Sequence, residues 1–178
     1  MKLFIGCSSS NEIDKKYIDS CTSLLEEILK NNDLVYGAYN NGIMKIAYDT
    51  ALKYNRNIYA ITTENYKEEL EDIEAQYKII TPNIYTRGEA LIKNSDVVVI
   101  LPGGIGTITE LISAIETMRN NEFNKPIIIY NFDGFYDEFI KFIDTIYEKK
   151  FSSETTKNFY YILDTPEEIV EFINEGGI

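Results

Sequence analysis

The chain has 178 residues, 44% hydrophobic and 26% charged, a globular usage that sets aside disorder and fibrous repeats and fits one domain over residues 1–178 with a real core. It contains no histidine, so Ser-His-Asp triads, Cys-His dyads and histidine-ligated metals are excluded, and chemistry falls to carboxylates, Arg, Lys, Tyr, hydroxyls or backbone. A net charge of −12 argues against polymeric nucleic acid, whose phosphates are gripped by clustered Lys and Arg, yet leaves room for a small anion at a helix N-terminus.

In chain order, Lys2–Cys7 is a short apolar run expected to be a strand, and "GCSSS" follows it as a loop. The opening "MKLFIGCSSS" is too short and apolar-poor for a signal peptide, and no later run approaches the ~18 apolar residues of a membrane span. A cytoplasmic protein without membrane contact is the expectation. "KKYIDSCTSLLEEILKNN" places Tyr17, Ile18, Cys21, Leu24, Leu25 and Ile28 on one helical stripe. Cys7 and Cys21 fall in different elements without metal-ligand spacing and read as reduced structural thiols.

Further strands are expected at Asp33–Tyr36, Asn57–Ile61, Asp96–Leu101 and Pro126–Asn131, with weaker signals at Tyr77–Ile80 and Phe159–Leu163. The acidic "TENYKEELEDIEAQ" reads as a solvated helix or loop, and "FYDEFIKFIDTIYEKK" as an amphipathic helix. Apolar strands alternating with helices imply βαβ units, hence a Rossmann-like, doubly wound and mostly parallel sheet with helices on both faces. In such sheets ligands bind beyond the carboxyl ends of the strands, which singles out "GCSSS", "YGAYNNG" and "PGGIGT".

The third of these loops carries the clearest chemistry. Gly103, Gly104 and Gly106 would permit backbone conformations and a close ligand approach that a Cβ blocks, leaving amide N–H groups free to donate. A helix beginning near Gly106 would add its unpaired N–H groups and positive dipole end, so Gly103, Gly104, Ile105, Gly106 and Thr107 form a candidate phosphate pocket. Thr107 could cap that helix or donate its hydroxyl to the anion. Glu110, about one turn inside, could complement the dipole or act as a catalytic carboxylate. Arg87 could form a surface ion pair with nearby Glu89 or supply a fixed cation to the site.

"PGGIGTITE" resembles the PGGxGTxxE signature of the LONELY GUY family, the cytokinin riboside 5′-monophosphate phosphoribohydrolases, often labelled lysine decarboxylases. "TRGEALIKNSDVVVILPGG" is similar to the family's segment with its catalytic Arg, "LVYGAYNNGIMKIAYDTAL" and "GCSSS" to its other two loops, and "KPIIIYNFDGFYDEFIKFID" with "DTPEEIVEFI" to its C-terminal third. The resemblance implies hydrolysis of the N-glycosidic bond of a nucleoside 5′-monophosphate, AMP or an N6-modified AMP, to base and ribose 5-phosphate. It places Arg87 and Glu110 as the catalytic pair, phosphate on residues 103 to 107, and the rest of the substrate against Ser8, Ser9, Gly37, Gly42 and Met44. It also implies a homodimer; with no histidine and no evident ligand cluster, neither a metal nor a cofactor is expected.

The chain departs from the family at three points. Gly88 stands where Lys usually follows the Arg, Gly37-Ala38-Tyr39 replaces a run of glycines, and Lys45 stands where a glycine is expected. These changes bear on substrate identity more than on reaction type, and the Tyr39 loop keeps a second reading open, a nucleotide-binding or sensing module without turnover.

Overall fold

A computed structural model describes residues 1–175, so residues 176–178 of the expected domain lie outside the described part. Seven parallel strands form one sheet in the order β4-β3-β2-β1-β5-β6-β7. They are β1 (Lys2–Gly6), β2 (Asp33–Tyr36), β3 (Ile58–Thr63), β4 (Tyr77–Thr81), β5 (Val97–Ile100), β6 (Ile127–Tyr130) and β7 (Tyr160–Leu163). The helices between them are α1 (Lys15–Ile28), α2 (Gly42–Lys53), α3 (Ile84–Lys93), α4 (Ile105–Arg119), α5 (Asp137–Glu148) and α6 (Pro166–Asn174).

Apolar runs such as "VVVI" in β5 and "IIIY" in β6 are buried along their whole length, because helices cover the sheet on both sides. One core layer joins Leu3, Ile5, Leu34 and Val99 to Leu24 and Leu25 of α1, Ala47 of α2 and Ile169 of α6. The other joins Phe4, Val35, Val98 and Ile129 to Leu91 of α3, Leu111 and Ala114 of α4, and Tyr136. The doubly wound fold expected from the alternation is therefore the one observed.

The chain leaves β1 toward β2 on one side, and β5 returns to pair with β1 on the other, so strand order switches between β1 and β5. The loops after these two strands diverge there and open a crevice. The ladder continues one residue into the loop, with Leu101 N–H donating to Gly6 C=O at 2.8 Å. Buried Tyr136 donates its hydroxyl to Leu101 C=O at 2.7 Å from the start of α5. "PGGIGT" is thereby tied at its root to the end of β1.

The acidic run after β3 forms a 3-10 segment, Glu64–Leu70, rather than an α-helix, with non-helical backbone at Tyr66. Cys7 and Cys21 are buried and unpaired, as expected of structural thiols, and burial raises the pKa of both, of Cys21 to about 12.

Candidate active site

Gly104 is the N-cap of α4, and the helix begins at Ile105, one residue before the expected start. No side chain caps this end, so Thr107 is not a cap; it sits inside the first turn, buried, with its side chain turned back toward Gly103. The first amides of α4 are left without a capping side chain at the crevice, where the helix dipole favours an anion.

Of the two reasons expected for the glycines, an unusual backbone conformation does not apply, while room for a close approach is present at two of the three. None of residues 103, 104 and 106 has the positive φ that demands glycine. A Cβ on Gly103 would lie 2.2 Å from Thr107 Oγ1, so this position is set by close packing. A Cβ on Gly104 or on Gly106 would meet no atom of the described residues within 4 Å. Those two positions bare the backbone to open space, and the room in front of them is what a ligand would use.

Glu110 lies deeper along α4 and points into the sheet; its side chain retains 9% of its exposure. Arg87, from the first turns of α3, retains 14% and is fixed by three bonds. Its Nη1 donates to Glu110 Oε1 at 3.3 Å, its Nη2 to Gly37 C=O at 3.0 Å and its Nε to Ile61 C=O at 3.2 Å. The surface pairing of Arg87 with Glu89 does not occur, since Glu89 is engaged by Lys93. One arginine thus joins the ends of β2 and β3 to α4.

Glu110 Oε2 is buried and has no hydrogen-bond partner among the described residues. Burial disfavours the charged carboxylate and outweighs the opposing pull of Arg87, lifting its pKa to about 7. An acid that titrates near neutrality, half paired to a fixed cation and half unpartnered, fits a reacting group better than a structural ion pair.

Two cavities open beside the glycine loop. The smaller, about 240 Å³, lies against Ser8, Ile13, Tyr17, Ile43, Phe135 and the backbone at Gly103 and Gly104. The larger, about 640 Å³, is bordered by Ser9, Gly37, Tyr39, Met44, Arg87 and Gly106. A third cleft, about 780 Å³, includes Arg119, Tyr147 and Phe151 at or just beyond the C-terminal ends of α4 and α5, and so lies toward the amino ends of the strands, away from the glycine loop.

Of the residues singled out from sequence, Ser8, Gly103 and Gly104 meet at one cavity and Ser9, Gly37, Met44, Arg87 and Gly106 at the other, while Thr107 and Glu110 are buried behind the loop. Ile105 is 81% exposed. Gly42 borders neither cavity; its φ of +58° and its closeness to Ser10 C=O, 2.5 Å from where a Cβ would sit, make it a join between two loops. Lys45 is paired with Asp49 at 2.8 Å on the outside of α2. Sequence reasoning missed Asn65 and Tyr66, which border the larger cavity from within the acidic run taken as merely solvated. An asparagine and a tyrosine directly beyond a strand's carboxyl end were the available signal.

Fold and site together define a Rossmann-like α/β protein with an uncapped helix N-terminus beside a buried carboxylate–guanidinium pair. The family described as "Possible lysine decarboxylase" matches residues 44–173, and the chain belongs to that family, which is the LONELY GUY family of the resemblance. A probable cytokinin riboside 5′-monophosphate phosphoribohydrolase of Oryza sativa subsp. japonica is 27% identical over 173 residues, covering 96% of this chain and 69% of the relative. A cytokinin riboside 5′-monophosphate phosphoribohydrolase of Arabidopsis thaliana is 27% identical over 177 residues, covering 98% and 82%. The molybdenum cofactor carrier protein of Chlamydomonas reinhardtii superposes with a TM-score of 0.71 at 14% identity, over 98% of this chain and 96% of its own, which is a likeness of fold.

Proposed function

We propose that this protein hydrolyses the N-glycosidic bond of a nucleoside 5′-monophosphate of the AMP type, giving free base and ribose 5-phosphate. The observation that carries the proposal is the Arg87–Glu110 pair with its unpartnered, buried Oε2, set behind an uncapped helix N-terminus. The phosphate would take the amides at Gly104 to Thr107, which brings the ribose toward Arg87 and Glu110. As the C1′–N bond lengthens, positive charge develops on the sugar, and a carboxylate in a poorly solvated site stabilises it more than water does. Glu110 would also orient the water whose oxygen bonds C1′ while the departing base takes up a proton. Arg87, already bound to two backbone carbonyls, would hold the phosphoribosyl group and keep Glu110 in place.

Decarboxylation of an amino acid through pyridoxal phosphate would need a lysine for the Schiff base, and among the described residues no lysine borders either cavity beside the glycine loop. The proposed reaction needs no metal, and EDTA should leave its rate unchanged. The buried thiols suit a reducing, cytoplasmic setting. A homodimer is part of the proposal: Tyr85, 83% exposed, together with Ile84, Ile105 and Ile112, leaves apolar surface on α3 and α4 next to the cleft, which a second copy would cover.

The test is incubation with nucleoside monophosphates and assay for ribose 5-phosphate. Release by the wild type and its loss in Glu110→Gln and Arg87→Ala support the reading; tight binding of a nucleotide without release overturns it.

A further inference from the structure

Resting on the proposed reaction, the question left open is which cavity takes the base. Both begin at the glycine loop, but only the larger is bordered by Arg87; a base in the smaller one would draw the glycosidic carbon away from the guanidinium and its partner Glu110. Among the described residues the larger cleft has no charged residue beyond Arg87, and its apolar and aromatic walls come from Tyr39, Met44, Tyr66, Pro82 and Ile84. Flat aromatic and apolar walls without charge suit a neutral heteroaromatic ring, and two tyrosines offer faces for stacking. Two carboxamides, of Asn65 and Asn83, stand among those walls. Asn83 is committed, its Oδ1 accepting from Tyr85 N–H and Thr86 N–H at 3.0 and 3.1 Å as the cap of α3. Asn65, second in the 3-10 segment, makes no side-chain hydrogen bond among the described residues, and a carboxamide can both donate to and accept from a base edge such as the N6/N7 side of adenine.

We infer that the segment after β3 and the loop after β2 form the base subsite, with Tyr39 and Tyr66 stacking on a purine and Asn65 reading its edge. Tyr39, a departure from the family's glycine run, then becomes a specificity residue of this chain, and the acidic segment acquires a function apart from its charge.

The experiment is a steady-state comparison of AMP, GMP, CMP and UMP on wild type, Tyr66→Ala, Tyr39→Gly, Asn65→Ala and, in the smaller cavity, Phe135→Ala, with inhibition by ribose 5-phosphate, which lacks the base, measured for each. Loss of a stacking tyrosine should raise KM for AMP about tenfold or more, the scale of one lost base–aromatic stack, with little change in kcat and ribose 5-phosphate inhibition held within about twofold. Asn65→Ala should narrow the preference between AMP and GMP, and Phe135→Ala should leave all values in place. Unchanged KM values in the three cleft variants, or a larger effect from Phe135→Ala, would overturn the subsite. Should the wild type release no ribose 5-phosphate, the reaction fails but the subsite does not go untested. Calorimetric affinity for AMP must then fall in Tyr66→Ala and Tyr39→Gly relative to wild type, and equal affinities refute it.

Discussion

Arg87 is fixed from three sides, and Gly37 is the residue that lets it in. A Cβ at position 37 would fall 1.9 Å from Arg87 Nη2, inside any permitted contact, so Gly37→Ala must push the guanidinium off Gly37 C=O and strain its bond to Glu110. The expected result is a protein that stays folded, since the displaced group is the end of a long side chain, but loses ten- to a hundredfold in kcat/KM; unaltered kinetics would show that the position of Arg87 does not matter. Glu110 makes a second, independent prediction. Its folded carboxyl titrates near 7 while an unfolded one titrates near 4.5, so the native state holds the extra proton between those values. The associated stability is complete below about pH 4.5 and is lost as pH rises through about 7, where the buried group must ionise. Over that window wild type should lose, relative to Glu110→Gln, on the order of 3 kcal/mol at most. Urea unfolding of both proteins at pH 5 and pH 8 checks this, and parallel losses would contradict it. Arg87 and Glu110 were legible in sequence through their motif, but the ligands that fix Arg87, Gly37 C=O and Ile61 C=O, were not, because backbone acceptors carry no residue signature.

At the scale of elements, α4 carries the proposed anion site, and its glycines are separable by what surrounds them. Gly104→Val adds a side chain into open space at the helix N-cap, where φ is −86° and ψ −161°, so it should cost little stability while screening the amides from a phosphate. A thermal melt within a few degrees of wild type, together with loss of nucleotide binding, is the expected pair of results; undiminished binding would remove phosphate from this loop. Apolar density made the central strands easy to read, and β2, fully internal, was found with its bounds intact. The edge strand β4 and the short β7 gave weaker signals because one or both faces reach solvent, as at Tyr77, Lys78 and Ile80 in β4, which dilutes the apolar run that marks a buried strand. The segment Glu64–Leu70 is the solvated stretch its composition implies, exposed over most of its length; what composition does not display is that Asn65 and Tyr66, placed just beyond β3, also border a cleft.

At the scale of the whole molecule, strand order decides where the site is, and that order is set by long-range pairing. Alternation of strands and helices makes a parallel sheet legible, but that β5 returns to lie against β1 follows from the register Leu3↔Val97 to Gly6↔Ile100, which no local pattern displays. The proposed homodimer belongs to this scale too: light scattering at micromolar concentration should give twice the chain mass, and Tyr85→Asp with Ile105→Asp should lower it to one; a monomeric wild type would refute the assembly. The most direct measurement of the central claim is release of ribose 5-phosphate from AMP at pH 6 to 8.5. The account predicts a kcat/KM that rises through about pH 7 as Glu110 ionises, a fall of a hundredfold or more in kcat for Glu110→Gln with AMP affinity nearly kept, and no response to EDTA. A Glu110→Gln protein that turns over AMP as fast as wild type would contradict it.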